Sequence, residues 1–119
     1  MFNLPRLFKS FKYSLTGIKL VFKEEKNFQI HTLVAVLVIL LAIYFQVKIW
    51  EWIILLLLIA LVLILEIINS ILERFVDILK PRIHQYVKDI KDMGAAVVFI
   101  GALCAVIVGL IIFLPYIFN

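Results

Sequence analysis

Three long apolar runs dominate the chain, preceded by a segment in which large apolar and basic residues alternate at helical spacing. In that first segment Leu4, Leu7, Phe8, Phe11, Leu15, Ile18 and Phe22 recur three and four positions apart, while Lys9, Lys12, Thr16, Lys19 and Lys23 fall on other faces. This predicts an amphipathic helix over residues 4–23. Pro5 suits its first turn, and Gly17 is its weak point. A basic helix with aromatic residues on its apolar face is expected to lie in the membrane interface. The first apolar run, residues 30–47, is long enough to span. Residues 46–48 make a short connection, and Trp50 and Trp52 then mark a membrane-water boundary. The second span starts there, and its helix is expected to continue to about Leu79, stopping before Pro81. Residues 80–92 are polar and are expected to form a loop. Residues 93–118 form the third span.

The second helix carries the most informative departure from this pattern. After a nearly unbroken apolar run from Ile53 to Leu65 come Glu66, Asn69, Ser70, Glu73 and Asp77. At about 100° per residue, all five lie within roughly 60° of one direction. From Trp50 to Glu66 is about 24 Å of helix, somewhat less than a ~30 Å hydrocarbon core, so Glu66 belongs near the far interface. Carboxylates and an amide at the end of a span are costly to place and point to function.

Composition narrows the class. The chain has 119 residues, of which 66% are hydrophobic. One small core could not hide so much apolar surface, so lipid must solvate it. The whole chain, 1–119, reads as one membrane domain: an interfacial helix within 1–29 and a three-span all-α bundle within 30–119. The net charge of +4 does not point to nucleic acid, because the cations flank the spans. Arg6, Lys9, Lys12, Lys19, Lys23 and Lys26 precede the first span, and Arg74, Lys80, Arg82, Lys88 and Lys91 lie between the second and third. The other connection has Lys48, and the tail has none. By the positive-inside rule the N-terminus and the second connection are cytoplasmic, which puts every acid except Glu51 on the side where ATP is. The single cysteine, Cys104, is read as inert packing. Gly101, Ala105 and Gly109 form a small-residue stripe on the third span, suited to close helix approach. Three spans bury little by themselves, so a homo-oligomer is expected.

These residues offer the parts for phosphoryl transfer, which needs metal-held phosphates, a cation on the developing charge and a base at the attacking hydroxyl. Glu25, Glu73 and Asp77 could hold Mg²⁺, a hard cation that takes oxygen ligands. Lys91 and Arg82 could hold phosphates, and Glu66 could take a proton from a lipid alcohol. Neither a Walker-type loop nor a protein-kinase Gly-rich loop is present, so a nucleotide site would be built between helices. His31 reads as interfacial, His84 as solvated, and Glu73, Arg74 and Asp77 could equally be a solvated helix end. A proton-coupled transporter or an assembly protein is the alternative of another class, although a transporter should hold its key carboxylate near the midplane.

Three segments together resemble the prokaryotic diacylglycerol kinase family. Leu65-Glu66-Ile67-Ile68-Asn69-Ser70-Ile71-Leu72-Glu73 followed by Asp77 is similar to its E-x-x-N-[ST]-x-x-E-x-x-x-D signature. Lys91-Asp92-Met93-Gly94-Ala95-Ala96 is similar to its K-D-x-x-[AS]-[AG] motif. Glu24-Glu25-Lys26-Asn27-Phe28-Gln29-Ile30-His31 resembles the E-x-N-x-x-I-H segment of its Gram-positive, undecaprenol kinase branch. The resemblance implies a homotrimeric kinase of the bacterial plasma membrane, with three spans, a surface helix and sites shared between subunits, which phosphorylates a lipid alcohol with Mg-ATP. The alcohol implied is undecaprenol, with diacylglycerol the alternative. Carried over by position, Glu66 matches the catalytic base, with Asn69 beside it, and Glu25 and Glu73 match the metal carboxylates. Lys91 and Asp92 match nucleotide-contacting residues, as do Arg6 and Tyr13 on the first helix and Arg82, Ile83 and His84 in the loop. Two positions depart from the pattern: Ile71 stands where Ala is usual, which would narrow the space beside Asn69, and Gln29 stands where Arg is common.

Overall fold

The computed structural model describes residues 3–79 and 84–119. It is built from helices α1 (Leu4–Glu24), α2 (Lys26–Phe45), α3 (Ile49–Leu79) and α4 (His84–Ile117). Among the described residues, α2, α3 and most of α4 are long and apolar enough to cross a membrane. In lipid the backbone must satisfy its own polar groups, and a helix does so within one segment. The all-α architecture with three spans and an N-terminal helix is therefore as the sequence pattern predicts.

α1 begins where Asn3 caps it, accepting the Arg6 backbone N–H at 3.2 Å, with Pro5 in the first turn. The helix runs unbroken through Gly17. It ends at Glu25, whose extended backbone (φ −104°, ψ 109°) is the one-residue corner between α1 and α2. The first span thus begins at Lys26, one turn earlier than the apolar run suggests. Three interactions hold this corner. Gln29 donates its side-chain amide to the Phe22 carbonyl at 2.7 Å, satisfying an orphan acceptor at the end of α1. Phe22 and Phe28 meet edge to face at 6.3 Å. Arg74 reaches across from α3 to pair with Glu24, and it lies 3.8 Å from Glu25.

α2 closes in a Schellman turn. Gln46 takes the left-handed conformation (φ 50°), its N–H bonds to Ile43, and the Val47 N–H reaches the Ala42 carbonyl, both at 3.2 Å. α3 and α4 then pack antiparallel as the most extensive pair of the fold. The apolar core sits at the α2–α3 turn, where Ala42 (0% exposed), Val47, Leu55, Ile112 and Phe113 cluster with Phe45, Trp52 and Tyr116 around them. Glu51 is buried at this same end. Its carboxylate accepts the Lys48 backbone N–H at 2.9 Å, one half of a capping box, and the Tyr116 hydroxyl of α4. This places a structural latch at the end of the molecule opposite the polar row.

The connection after α3 is shorter than the composition of residues 80–92 suggests, because α4 already begins at His84. Polar residues here still alternate with a helical apolar stripe: Val87 is buried and Ile90 half-buried. Two pairs at i,i+4 support the added turns, Gln85 with Asp89 and Lys88 with Asp92, both at 3.2 Å. At 31 residues α3 is about 46 Å long, so about 16 Å of it lies beyond a ~30 Å hydrocarbon core.

Gln46 carries a steric cost that glycine would not. Gln46→Gly should therefore stabilise the fold by up to about 1 kcal/mol, read as a higher midpoint in thermal unfolding in detergent. Tyr116→Phe, which removes a donor from the buried Glu51 carboxylate, should lower that midpoint.

Candidate active site

The polar row of α3 does not face a single neighbour. Glu66 is 3% exposed and turns toward α2, where His31 Nε2 lies 3.5 Å from its Oε1. Asn69 turns toward α4. Its Nδ2 donates to Glu73 Oε1 at 3.4 Å, while its buried Oδ1 has no hydrogen-bond partner among the described residues. Ser70, 2% exposed, donates to the Glu66 carbonyl at 3.0 Å and lines a cleft of about 280 Å³ against α1. Ser14, Gly17, Ile18 and Val21 line that cleft from the α1 side, and Ile67, Ile71 and Arg74 line it from α3. α3 is therefore the central helix of the site, with α2, α4 and α1 each covering part of its polar arc.

Gly94 makes the α4 contact possible. A Cβ at this position would collide with the Asn69 amide. One side of the K-D-x-x-[AS]-[AG] segment is thus fitted to the E-x-x-N segment across the helix pair. Seven residues further along α4, Gly101 does the same for Leu65, whose Cδ1 would lie 2.6 Å from an added Cβ. The small-residue stripe is occupied within the chain at Gly101, whereas Gly109 has nothing within contact distance of an added Cβ among the described residues.

Glu25 and Glu73 are near enough to act electrostatically on Glu66, so three carboxylates and His31 share one neighbourhood. Lys91 leans on Asp77 at 2.6 Å, which ties α4 to the last turns of α3. The site residues expected from the sequence divide accordingly. Glu25, Glu66, Asn69 and Glu73 are brought together, and Lys91 is joined to the same arc through Asp77. Asp92 pairs with Lys88 on the exposed side of α4. Arg6 and Tyr13 stand exposed on α1. The expectations at Arg82 and Ile83, and at the His84 side chain, lie outside the described residues. Ile71 is 59% exposed and lines the α1 cleft, while Asn69 faces Gly94. The departure at Ile71 therefore shapes the cleft and not the space around the amide.

Two residues near the carboxylates have more to do than their sequence positions suggest. His31 read as interfacial, yet it faces a buried carboxylate. The signal was available: a polar side chain inside a span turns toward the bundle interior, not toward lipid. Arg74 read as part of a solvated helix end, yet it secures the corner that carries Glu25. Only the fold of α1 back onto α3 puts those residues in reach.

The family model for prokaryotic diacylglycerol kinase matches residues 12–113. This chain belongs to that family. An undecaprenol kinase of Bacillus subtilis (strain 168) is 38% identical over 113 residues, covering 95% of this chain and 92% of that protein. A diacylglycerol kinase of Synechocystis sp. is 38% identical over 112 residues, 93% of this chain and 64% of that longer protein. A diacylglycerol kinase of Helicobacter pylori (strain 26695) is 37% identical over 99 residues, 83% of this chain and 77% of that protein. The family member is therefore a membrane-bound lipid kinase that draws its phosphoryl group from a nucleotide. Membership decides against the transporter and assembly readings.

The donor set is compatible with a magnesium ion. Among the described residues no three Asp, Glu, His or Cys side chains converge as a closed metal cage. Mg²⁺ does not need one, because a kinase site holds it through one or two carboxylates, with waters and substrate phosphates completing the octahedron. Glu25 and Glu73, which both act electrostatically on Glu66, supply carboxylates of the kind such a site uses.

The fit of Gly94 against Asn69 yields a test. Gly94→Ala should displace the Asn69 amide and cost about 1–3 kcal/mol of stability through overpacking. Lipid kinase turnover should fall at least tenfold while the helical content measured by circular dichroism is retained.

Proposed function

We propose that this kinase phosphorylates undecaprenol to undecaprenyl phosphate by direct, in-line transfer from Mg-ATP. The observation that carries the reading is Glu66, a carboxylate buried at the end of an apolar run and within electrostatic reach of Glu25 and Glu73. The similarity to the Bacillus subtilis undecaprenol kinase over nearly the full length of both chains supports the choice of alcohol. The site faces the cytoplasm, as the concentration of Lys and Arg on that side supports.

The lipid enters sideways with its chains still in the bilayer, and its hydroxyl reaches Glu66. Glu66 takes the hydroxyl proton as the oxygen attacks the γ-phosphorus. The new P–O bond forms as the bond to the β,γ-bridging oxygen breaks, and ADP leaves. Asn69 orients the hydroxyl beside Glu66. Lys91 exchanges its Asp77 partner for the phosphates, and Asp92, Arg6, Tyr13 and the segment Arg82 to His84 hold the rest of the nucleotide. Glu25 and Glu73 would hold Mg²⁺, which when bound neutralises charge on the transferring phosphates. Because ATP and acceptor meet directly, no phosphoenzyme is needed. The exposed apolar faces of α2, α3 and α4 suit association into a homotrimer in the bilayer, with neighbouring subunits completing each site.

A competition assay in micelles, with labelled ATP, Mg²⁺ and equal amounts of undecaprenol and diacylglycerol, tests the substrate. Label should appear mainly in undecaprenyl phosphate; label mainly in phosphatidic acid would keep the mechanism and replace the alcohol. Glu66→Gln should lower kcat by at least about 10²–10⁴-fold, the usual scale of general-base catalysis, with the oligomer intact. Near-normal turnover would remove Glu66 as the base. Glu73→Gln should raise the Mg²⁺ concentration needed for half-maximal rate, and an unchanged titration would argue against its metal role.

A further inference from the structure

Glu66 is nearly inaccessible, and the like charges of Glu25 and Glu73 act on it from the α2 corner and from two turns along α3. A buried carboxylate is costly unless donors or opposite charge surround it. From α2 the side chain that answers this is His31, whose Nε2 stands 3.5 Å from one specific oxygen, Oε1. From α3 itself, Asn69 Nδ2 is committed to Glu73 and the Ser70 hydroxyl to the Glu66 carbonyl. From α4, Lys91 is committed to Asp77, and the residue opposite Asn69 is Gly94, which has no side chain to offer. The Arg74 guanidinium is turned to Glu24 and Glu25. His31 is a quarter exposed, so its ring bridges the buried oxygen and the edge of the bundle.

We infer that His31 is a positioning residue for the base. It donates from Nε2 to Glu66 Oε1, fixes the carboxylate rotamer and leaves Oε2 directed at the lipid hydroxyl. At 3.5 Å the two atoms stand within ion-pair reach, longer than a normal hydrogen bond, so the inferred bond needs only a small approach of the imidazole. The inference rests on Glu66 being the base. It assigns His31 a task that the E-x-N-x-x-I-H segment does not itself reveal, since spacing alone leaves an interfacial histidine equally acceptable.

Gln and Asn variants separate this role from mere packing. The glutamine amide nitrogen can occupy the position of imidazole Nε2, whereas the asparagine amide reaches only as far as Nδ1. The full chain in micelles, assayed with Mg-ATP and undecaprenol, should show His31→Asn and His31→Leu with kcat lowered about 10- to 100-fold, the scale of a small misplacement of a reacting group. The KM for ATP should stay within about twofold in both. His31→Gln should recover most of the rate. Combined with Glu66→Gln, His31→Leu should cost little more, because it acts through the group already removed. Equal rates for the Gln and Asn variants, multiplicative losses in the double variant, or a defect confined to the KM for ATP would each overturn the inference. A Glu66→Gln enzyme with near-normal turnover would instead overturn the base assignment on which it rests. A severe Glu66→Gln defect beside an unimpaired His31→Leu enzyme would overturn the His31 role alone.

Discussion

A carboxylate buried at the end of a membrane span cannot be left to lipid, and much of the arrangement around α3 follows from enclosing Glu66. Each neighbouring helix contributes something to that enclosure. α2 brings His31 to one oxygen, and α4 offers a glycine so that Asn69 fits beside the acid. α1 folds back over Ser70, where the hydroxyl is already committed to the Glu66 carbonyl. The corner at Glu25 must therefore be sharp, and Gln29, the Phe22–Phe28 pair and Arg74 hold it from three sides.

The two ends of the bundle do different work. At the α2–α3 turn the packing is apolar and tight, with a fully buried Ala42 at its centre and the Glu51–Tyr116 contact joining α3 to α4. At the other end the side chains are polar, and the ties between helices are ion pairs, Arg74 with Glu24 and Lys91 with Asp77. Ion pairs of this kind contribute little to stability at a wet surface. They can exchange partners at small cost, as the proposed transfer of Lys91 from Asp77 to nucleotide phosphates requires.

Much of the apolar surface faces outward from α2, α3 and α4. In lipid this surface carries no penalty, and it leaves room for neighbouring copies of the chain. α1 presents a similar exposed face of Leu4, Leu7, Phe8 and Phe11, and its other end borders the cleft beside Ser70. The same helix thus carries an exposed apolar face at one end and borders the polar row of α3 at the other.

Helix number, the three spans and the helical extension carrying Glu73 and Asp77 were legible in the sequence. Hydrophobic periodicity and span length are local properties, and lipid enforces them on the backbone directly. The polar row was legible for the same reason, since residues at helical spacing must share a face. Residue chemistry already offered Glu25 and Lys91 for a metal and phosphates, and the family motifs added Asp92, Arg6 and Tyr13 as expectations, which no local pattern gives. What the residue order could not settle was which neighbour each member of the row would meet. His31 and Glu66 are 35 positions apart, Arg74 and Glu24 are 50 apart, and their pairing depends on how the helices pack. The early start of α4 was hidden because polar composition over residues 84–92 masks a helical stripe that becomes decisive only when Val87 is buried. Tertiary structure therefore decided the surroundings of the acid, because packing between helices, and not propensity within them, chooses the partner of a buried charge.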